Sequence, residues 1–223
     1  MSNSILTKKI LYWYDNNKRV LPWRKKISQT KREYYTLVSE FMLQQTQVTT
    51  VIPYFNNFIR DIPNLTSLSK INESKLLKYW EGLGYYSRVK NLQKTAQNVE
   101  KNFKGKIPST IEQLKSLPGI GDYTANAIMA IAFNKPFIPL DGNIERVIKR
   151  LLNLKQVDEI SKQNLVREKK IFGTSIRSSD YAQALMELGA LVCRPKNPLC
   201  NQCPLIKKKY WGPLLEGEIM LKP

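Results

Sequence analysis

Pro118, Gly119 and Gly121 fall together in Leu117-Pro118-Gly119-Ile120-Gly121-Asp122-Tyr123-Thr124-Ala125, and a regular helix cannot run through them. Pro118 has no amide hydrogen and fits poorly inside a helix, while Gly119 and Gly121 permit backbone angles that other residues resist. The chain must turn here. Apolar spacing before the turn predicts a helix from Thr110 to Leu117, with Ser109 or Thr110 as its cap. After it, Thr124, Ala125, Ala127, Ala130 and Ala132 predict a second helix slim enough to pack closely on the first. The expected unit is a tight helical hairpin whose second helix aims its N-terminal amides outward, where they can grip a phosphate. In isolation, the same residues also describe an ordinary turn between helices.

Helical spacing extends through most of the chain. It recurs in Ile10-Leu11-Tyr14, in Tyr34, Leu37, Val38, Phe41 and Met42, in Leu76-Leu77-Trp80, and in Tyr181, Ala184, Leu185, Leu188 and Leu191. No long alternating run predicts a strand, and Pro63, Pro108 and Pro139 punctuate short connections. The expected class is all-α. Residues 153–177 are polar, with a short helix expected among them, and the tail beyond Tyr210 carries no pattern.

The chain has 223 residues, enough for one core or two small subdomains, and 36 Lys and Arg against 18 Asp and Glu give a net charge of +18. Such a surplus calls for a polyanionic partner, with nucleic acid foremost, although ribosomal and membrane-surface proteins share it. No apolar run approaches the roughly 18 residues of a membrane span, and Met1 to Leu6 lack a signal-like apolar stretch. No membrane association and a cytoplasmic location, on the nucleoid in a bacterium, are therefore expected. All three cysteines lie between Cys193 and Cys203, a clustering that points to a metal rather than to a disulfide framework.

Several motifs follow one another in a fixed order: Leu21-Pro22-Trp23, Ser39-Glu40 through Gln47, Gly82-Leu83-Gly84-Tyr85-Tyr86-Ser87-Arg88, the hairpin, Leu140-Asp141-Gly142-Asn143, and Glu187-Leu188-Gly189-Ala190 followed by the cysteines. Together they resemble the helix-hairpin-helix DNA glycosylases, and most of all the adenine DNA glycosylases of the MutY type. The resemblance runs from Leu21 to Cys203. It implies two helical subdomains, residues 1–28 with 138–223 and residues 29–137, with the active-site cleft between them.

Glu40 stands among Leu37, Val38, Phe41 and Met42, surroundings expected to disfavour its ionised form and to raise its pKa toward neutrality. A neutral carboxylic acid there can protonate a departing purine, which would otherwise leave as an anion while the sugar becomes an oxocarbenium ion. The resemblance assigns the negative charge beside that cation to Asp141 and places Asn143 and Tyr123 in the same catalytic set. An aspartate just before a helix is also an ordinary helix cap. Related lyases such as endonuclease III carry an attacking lysine where this chain has Tyr123, and a phenol cannot form the Schiff base. The resemblance therefore implies a monofunctional enzyme.

A stacked base must be extruded before its glycosidic bond can be reached. Gln44, Gln45, Thr46, Leu83 and Tyr85 are the candidates to enter the stack around the orphaned partner, usually 8-oxoguanine in MutY-type enzymes. Trp23, Arg24 and Glu187 match residues lining the adenine pocket, and Arg88, Gly119, Gly121 and Arg194 complete the expected DNA contacts. From the residues alone, Tyr85 and Trp23 suit a core equally well, and Gln44 and Gln45 suit a solvated helix end.

Cys193-x6-Cys200-x2-Cys203 supplies three ligands of the family's 4Fe-4S site, and Lys209 stands where the pattern continues with cysteine. The chain contains no histidine, so the usual fourth donor is absent. Arg194 and Lys196 can still meet phosphate through charge and loop shape. About twenty residues follow Cys203, too few for the second domain with which MutY-type enzymes check 8-oxoguanine, so preference for that base over guanine is left open. The expected partner is double-stranded DNA with a mispaired adenine, bound by a monomer. Two other readings stay open: a thymine glycosylase acting on T:G mismatches, and an inactive DNA-binding module.

Overall fold

Side-chain caps define where most helices begin. In the computed structural model, which describes residues 5–151 and 175–205, Ser28 accepts a hydrogen bond from the Lys31 amide at the start of helix α2 (Gln29–Leu43). Asn64 caps α4 (Leu65–Lys70) through the Ser67 amide, Asn72 caps α5 (Glu73–Lys78), and Thr110 caps α7 (Ile111–Lys115) through the Gln113 amide. Each cap satisfies an amide that the helix itself leaves unpaired. Helices α1 (Ile5–Asn17), α3 (Val48–Asp61), α6 (Ser87–Phe103), α8 (Asp122–Ala127), α9 (Gly142–Leu151) and α10 (Ser178–Glu187) complete the set. No strand occurs among the described residues. Most of 153–177, expected to hold a short helix, lies outside the described residues, as does Lys209.

Residues 20–133 form one unit, and residues 1–19 with 134–223 form the other. Boundaries near 28 and 137, expected from the sequence, lie further along the chain. The segment ahead of α2 sits with the 20–133 unit because Leu21 and Trp23 are buried and the Trp23 ring meets Phe55 edge-on, with centroids 5.2 Å apart. In this unit α2 packs on α3 and α6, and α6 also carries α4. Phe41, Phe55, Phe58, Trp80 and Leu92 fill the interior without measurable exposure. In the other unit α1 lies on α10 and α10 on α9, burying Ile10, Ile144, Ile148, Ala184 and Leu185.

The hairpin forms as its composition predicts, with shorter helices. α7 ends at Lys115 rather than Leu117, and α8 continues directly into a π-helical stretch, Ile128–Ala132. Its two glycines differ. Gly119 takes the left-handed region at φ +78°, and a Cβ there would come within 2.8 Å of both Phe41 and Asn91. Gly121 is the residue before α8 at φ −91°, ψ −173°, a conformation open to any residue, and a Cβ there would meet nothing. The expectation of special backbone angles therefore holds for Gly119 and is corrected for Gly121. Thr95 of α6 donates to the Pro118 carbonyl at 2.7 Å, fixing the turn to the long helix.

Left-handed strain and the clash with buried Phe41 are expected to make Gly119→Ala cost about 2–4 kcal/mol in chemical denaturation. Gly121→Ala is expected to cost less than about 1 kcal/mol, the ordinary difference between these residues at a helix start. The reverse order would refute this account of the turn.

Candidate functional site

Glu40 lies in α2 at 4% exposure, and its neighbours Leu37, Val38, Phe41 and Met42 are completely buried. The acid is therefore buried on a stretch of helix where these neighbouring residues are apolar. Phe41, one residue along, also abuts Gly119, so the helix bearing the acid and the hairpin share a contact. Tyr123 is half-buried in the first turn of α8, next to Asp122, which pairs with Lys115 at 2.5 Å.

Beyond α2 the chain passes through Gln44, Gln45 and Thr46, and a second loop, Gly82 to Tyr86, precedes α6. Each loop carries an exposed non-glycine residue in the left-handed region, Gln45 at φ 56° and Tyr85 at φ 50°. That conformation costs about 1–2 kcal/mol at such residues, so surrounding contacts must hold it. Tyr85 is 62% exposed, which excludes a core role, whereas Leu83 is buried.

Arg88 was expected on DNA, and the structure corrects this: the residue is only 6% exposed, with its guanidinium turned inward. Nη1 donates to the carbonyls of Phe41 (3.3 Å), Met42 (2.8 Å) and Gln44 and to Thr46 Oγ1 (3.0 Å). Nη2 donates to the carbonyls of Leu83 (3.1 Å) and Gly84 (2.9 Å). The cause is the open C-terminal end of α2, whose last carbonyls lack helical partners. Burial lowers the Arg88 pKa from the ordinary arginine range.

In the other unit Asp141 caps α9. Its Oδ1 accepts from the Ile144 amide at 2.7 Å and its Oδ2 from Asn143 Nδ2 at 2.9 Å. The structure thus brings Asp141 and Asn143 together and holds both carboxylate oxygens in place. A cap and a fixed anion are compatible functions of one side chain, because the second oxygen is positioned by a side chain and not by the helix. Asn143 Oδ1 in turn accepts from Arg146 Nη2 at 2.8 Å, and Arg146 also reaches the carbonyls of Gly189 (2.8 Å) and Cys193 (2.7 Å). Gly189 allows this approach, since a Cβ there would lie 2.6 Å from the Asn143 Cβ.

Glu187 has no exposure and forms a bidentate ion pair with Arg19, at 2.8 and 2.9 Å. A carboxylate so deeply buried requires such a partner. Arg19 is 34% exposed, and nothing in the local sequence marks it, because the pair spans 168 positions. Trp23 is a core residue on Phe55, and Arg24 is half-buried beside it.

Cys193, Cys200 and Cys203 line one apolar-walled pocket with Val147, Leu188 and Leu205. Burial holds the Cys203 thiol above its usual pKa, and the neighbouring Cys193 and Cys200 thiols add to the shift. Arg150 closes over the loop, with Nη1 3.5 Å from Cys193 Sγ and 2.7 Å from the Arg194 carbonyl. The Arg194 side chain reaches the Asn197 carbonyl at 3.3 Å, while Lys196 is exposed. Among the described residues no group of three His, Cys, Asp or Glu side chains is arranged around a single metal ion. The three thiols line one pocket, and thiolates are the ligands that iron–sulfur clusters take.

The profile of the HhH-GPD superfamily base excision DNA repair proteins matches residues 38–170. The adenine DNA glycosylase of Buchnera aphidicola subsp. Baizongia pistaciae is 40% identical over 210 residues, 92% of this chain and 58% of that relative. The Homo sapiens adenine DNA glycosylase is 41% identical over 203 residues, 88% of this chain and 37% of that relative. The chain therefore spans less than two thirds of the length of either. Among solved structures, a thermostable thymine-DNA glycosylase superposes with a TM-score of 0.77 at 25% identity, covering 90% of this chain and 92% of that one. Endonuclease III in a non-covalent DNA complex gives 0.72 at 19% identity, covering 92% and 93%. With the hairpin, the buried acid and the helix-capping aspartate in place, the family match over more than half its length assigns this chain to the HhH-GPD superfamily of base excision DNA repair proteins.

Proposed function

We propose that the chain is a monofunctional DNA glycosylase that binds double-stranded DNA and removes adenine mispaired with 8-oxoguanine or guanine. The observation that carries this reading is Glu40, a carboxyl held at 4% exposure on the helix that abuts the hairpin. Glu40 donates a proton to the extruded adenine. The glycosidic electron pair then leaves with the base, and the deoxyribose becomes an oxocarbenium ion. Asp141, its carboxylate fixed by Ile144 and Asn143, stabilises that cation until water adds to the sugar and returns a proton to the Glu40 carboxylate, leaving an abasic site. Gln45 and Tyr85 enter the base stack, and the amides at the start of α8 hold the DNA backbone. Likeness to a thymine-DNA glycosylase favours a second reading, removal of thymine from T:G.

An iron–sulfur cluster would be held by Cys193, Cys200 and Cys203, and its contribution would be to fix the loop that carries Arg194 and Lys196 against DNA. The hydrolysis itself proceeds through this chain's carboxyl groups.

Purified protein incubated with A:8-oxoguanine, A:G, A:C or T:G duplexes and then heated in alkali is expected to give strand breaks from the first two. Breaks from T:G alone would replace adenine with thymine, and binding without breaks would leave a DNA-binding module. Glu40→Gln is expected to lose about 100-fold or more in single-turnover rate. Asp141→Asn keeps a capping side chain and is expected to lose a similar factor while its melting temperature stays close to that of the parent.

Tyr123→Lys supplies the amine that the parent lacks and is expected to form a borohydride-trappable adduct on abasic DNA. No adduct under conditions that capture a lyase would count against this placement of Tyr123.

Anaerobically purified protein is expected to contain iron and acid-labile sulfide, both lost in Cys200→Ala. Active protein free of iron would exclude a required cluster.

A further inference from the structure

Arg88 sits below both exposed loops and bonds to each. We propose that Arg88 is a positioning residue that locks Gln45 and Tyr85 into one preset pair of prongs before DNA arrives. The proposal rests on the glycosylase reading, because fixed prongs matter where a nucleotide must be extruded.

The guanidinium is a rigid planar fork, and its two terminal nitrogens serve different loops. Nη1 is committed to the end of α2 and to Thr46, on either side of Gln45, while Nη2 is committed to Leu83 and Gly84, immediately before Tyr85. The separation between the nitrogens is set by covalent geometry, so the spacing of the loops is set with it. The aromatic neighbours reinforce the arrangement. Arg88 Cζ lies 5.4 Å from the Trp80 ring centroid and 5.5 Å from that of Tyr85, and Trp80 Nε1 donates to the same Gly84 carbonyl at 3.1 Å. Tyr85 is thus held through both its backbone and its ring.

No carboxylate pairs with Arg88 among the described residues. An arginine serving only as packing could be neutralised by an acid, and one serving only as a helix cap would need just the α2 carbonyls. Here one cation spans two loops whose only left-handed non-glycine residues are exposed, and those residues are two of the five candidates to enter the stack. A lysine has a single nitrogen and cannot bridge the same carbonyls.

The test compares Arg88→Lys, Arg88→Met and Thr46→Val with the parent. In amide hydrogen exchange of the free proteins, Arg88→Lys is expected to raise exchange about tenfold in both 44–47 and 83–86, with the hairpin unchanged. Thr46→Val, altered on one side only, is expected to raise exchange about twofold on the far side, in 83–86. Faster exchange in one loop only, or throughout the unit, overturns the clamp. In single-turnover excision, Arg88→Lys and Arg88→Met are expected to lose about tenfold or more on a paired A:8-oxoguanine duplex. They are expected to stay within about threefold of the parent when the adenine faces an abasic gap and is more easily extruded. Equal loss on both substrates means a general structural lesion and overturns the proposal. If the parent itself excises no adenine, the glycosylase reading fails, and the exchange measurements alone still decide the clamp.

Discussion

Carbonyl oxygens at the ends of buried helices must be paired, and in this protein arginine side chains do much of that pairing. Arg88 takes the carbonyls at the end of α2, Arg146 those of Gly189 and Cys193 after α10, and Arg150 those of Arg194 and Pro195. A guanidinium offers several donors in a fixed plane, so one side chain can tie together segments distant in sequence. These guanidinium groups keep their charge, but the donors bonded to carbonyls are not offered to a phosphate. This ordering sets the two exposed loops in one unit and the Asp141–Asn143 pair in the other.

The two carboxyl groups central to the proposed reaction are prepared in contrasting ways. Glu40 is buried, at 4% exposure, on a helix packed against the hairpin. Asp141 is surrounded by donors, a helix amide on one oxygen and an asparagine amide on the other. Burial defines the first carboxyl group, and directed hydrogen bonds orient the second. Cap and anion turn out to be one arrangement: the bond that opens α9 also orients Asp141.

Features generated by local chemistry could be read directly from the sequence. The turn at Pro118-Gly119, the Thr110 cap and the helical character of the described segments follow from residue type and spacing, and the structure contains them. Apolar neighbours likewise foretold the burial of Glu40. What escaped was the direction of long side chains. Arg88 beside Tyr85 and Tyr86 looks like a surface cation, and its inward course depends on carbonyls more than forty positions earlier. Glu187 similarly gives no local sign of its pairing with Arg19. Gly119 and Gly121 look alike in sequence, yet only the first occupies a conformation that excludes other residues.

The pairing of α1 with α10 has a consequence for synthesis on the ribosome. Residues 20–133 are a continuous compact unit, whereas α1 must await a helix made far later. At ordinary elongation rates the 168 positions between Arg19 and Glu187 correspond to a delay on the order of ten seconds or more. Throughout it Ile10 and Leu11 lack the α10 part of the cluster that buries them. Helix α1, made before the 20–133 unit, thus reaches its α10 partner only after that unit is able to fold.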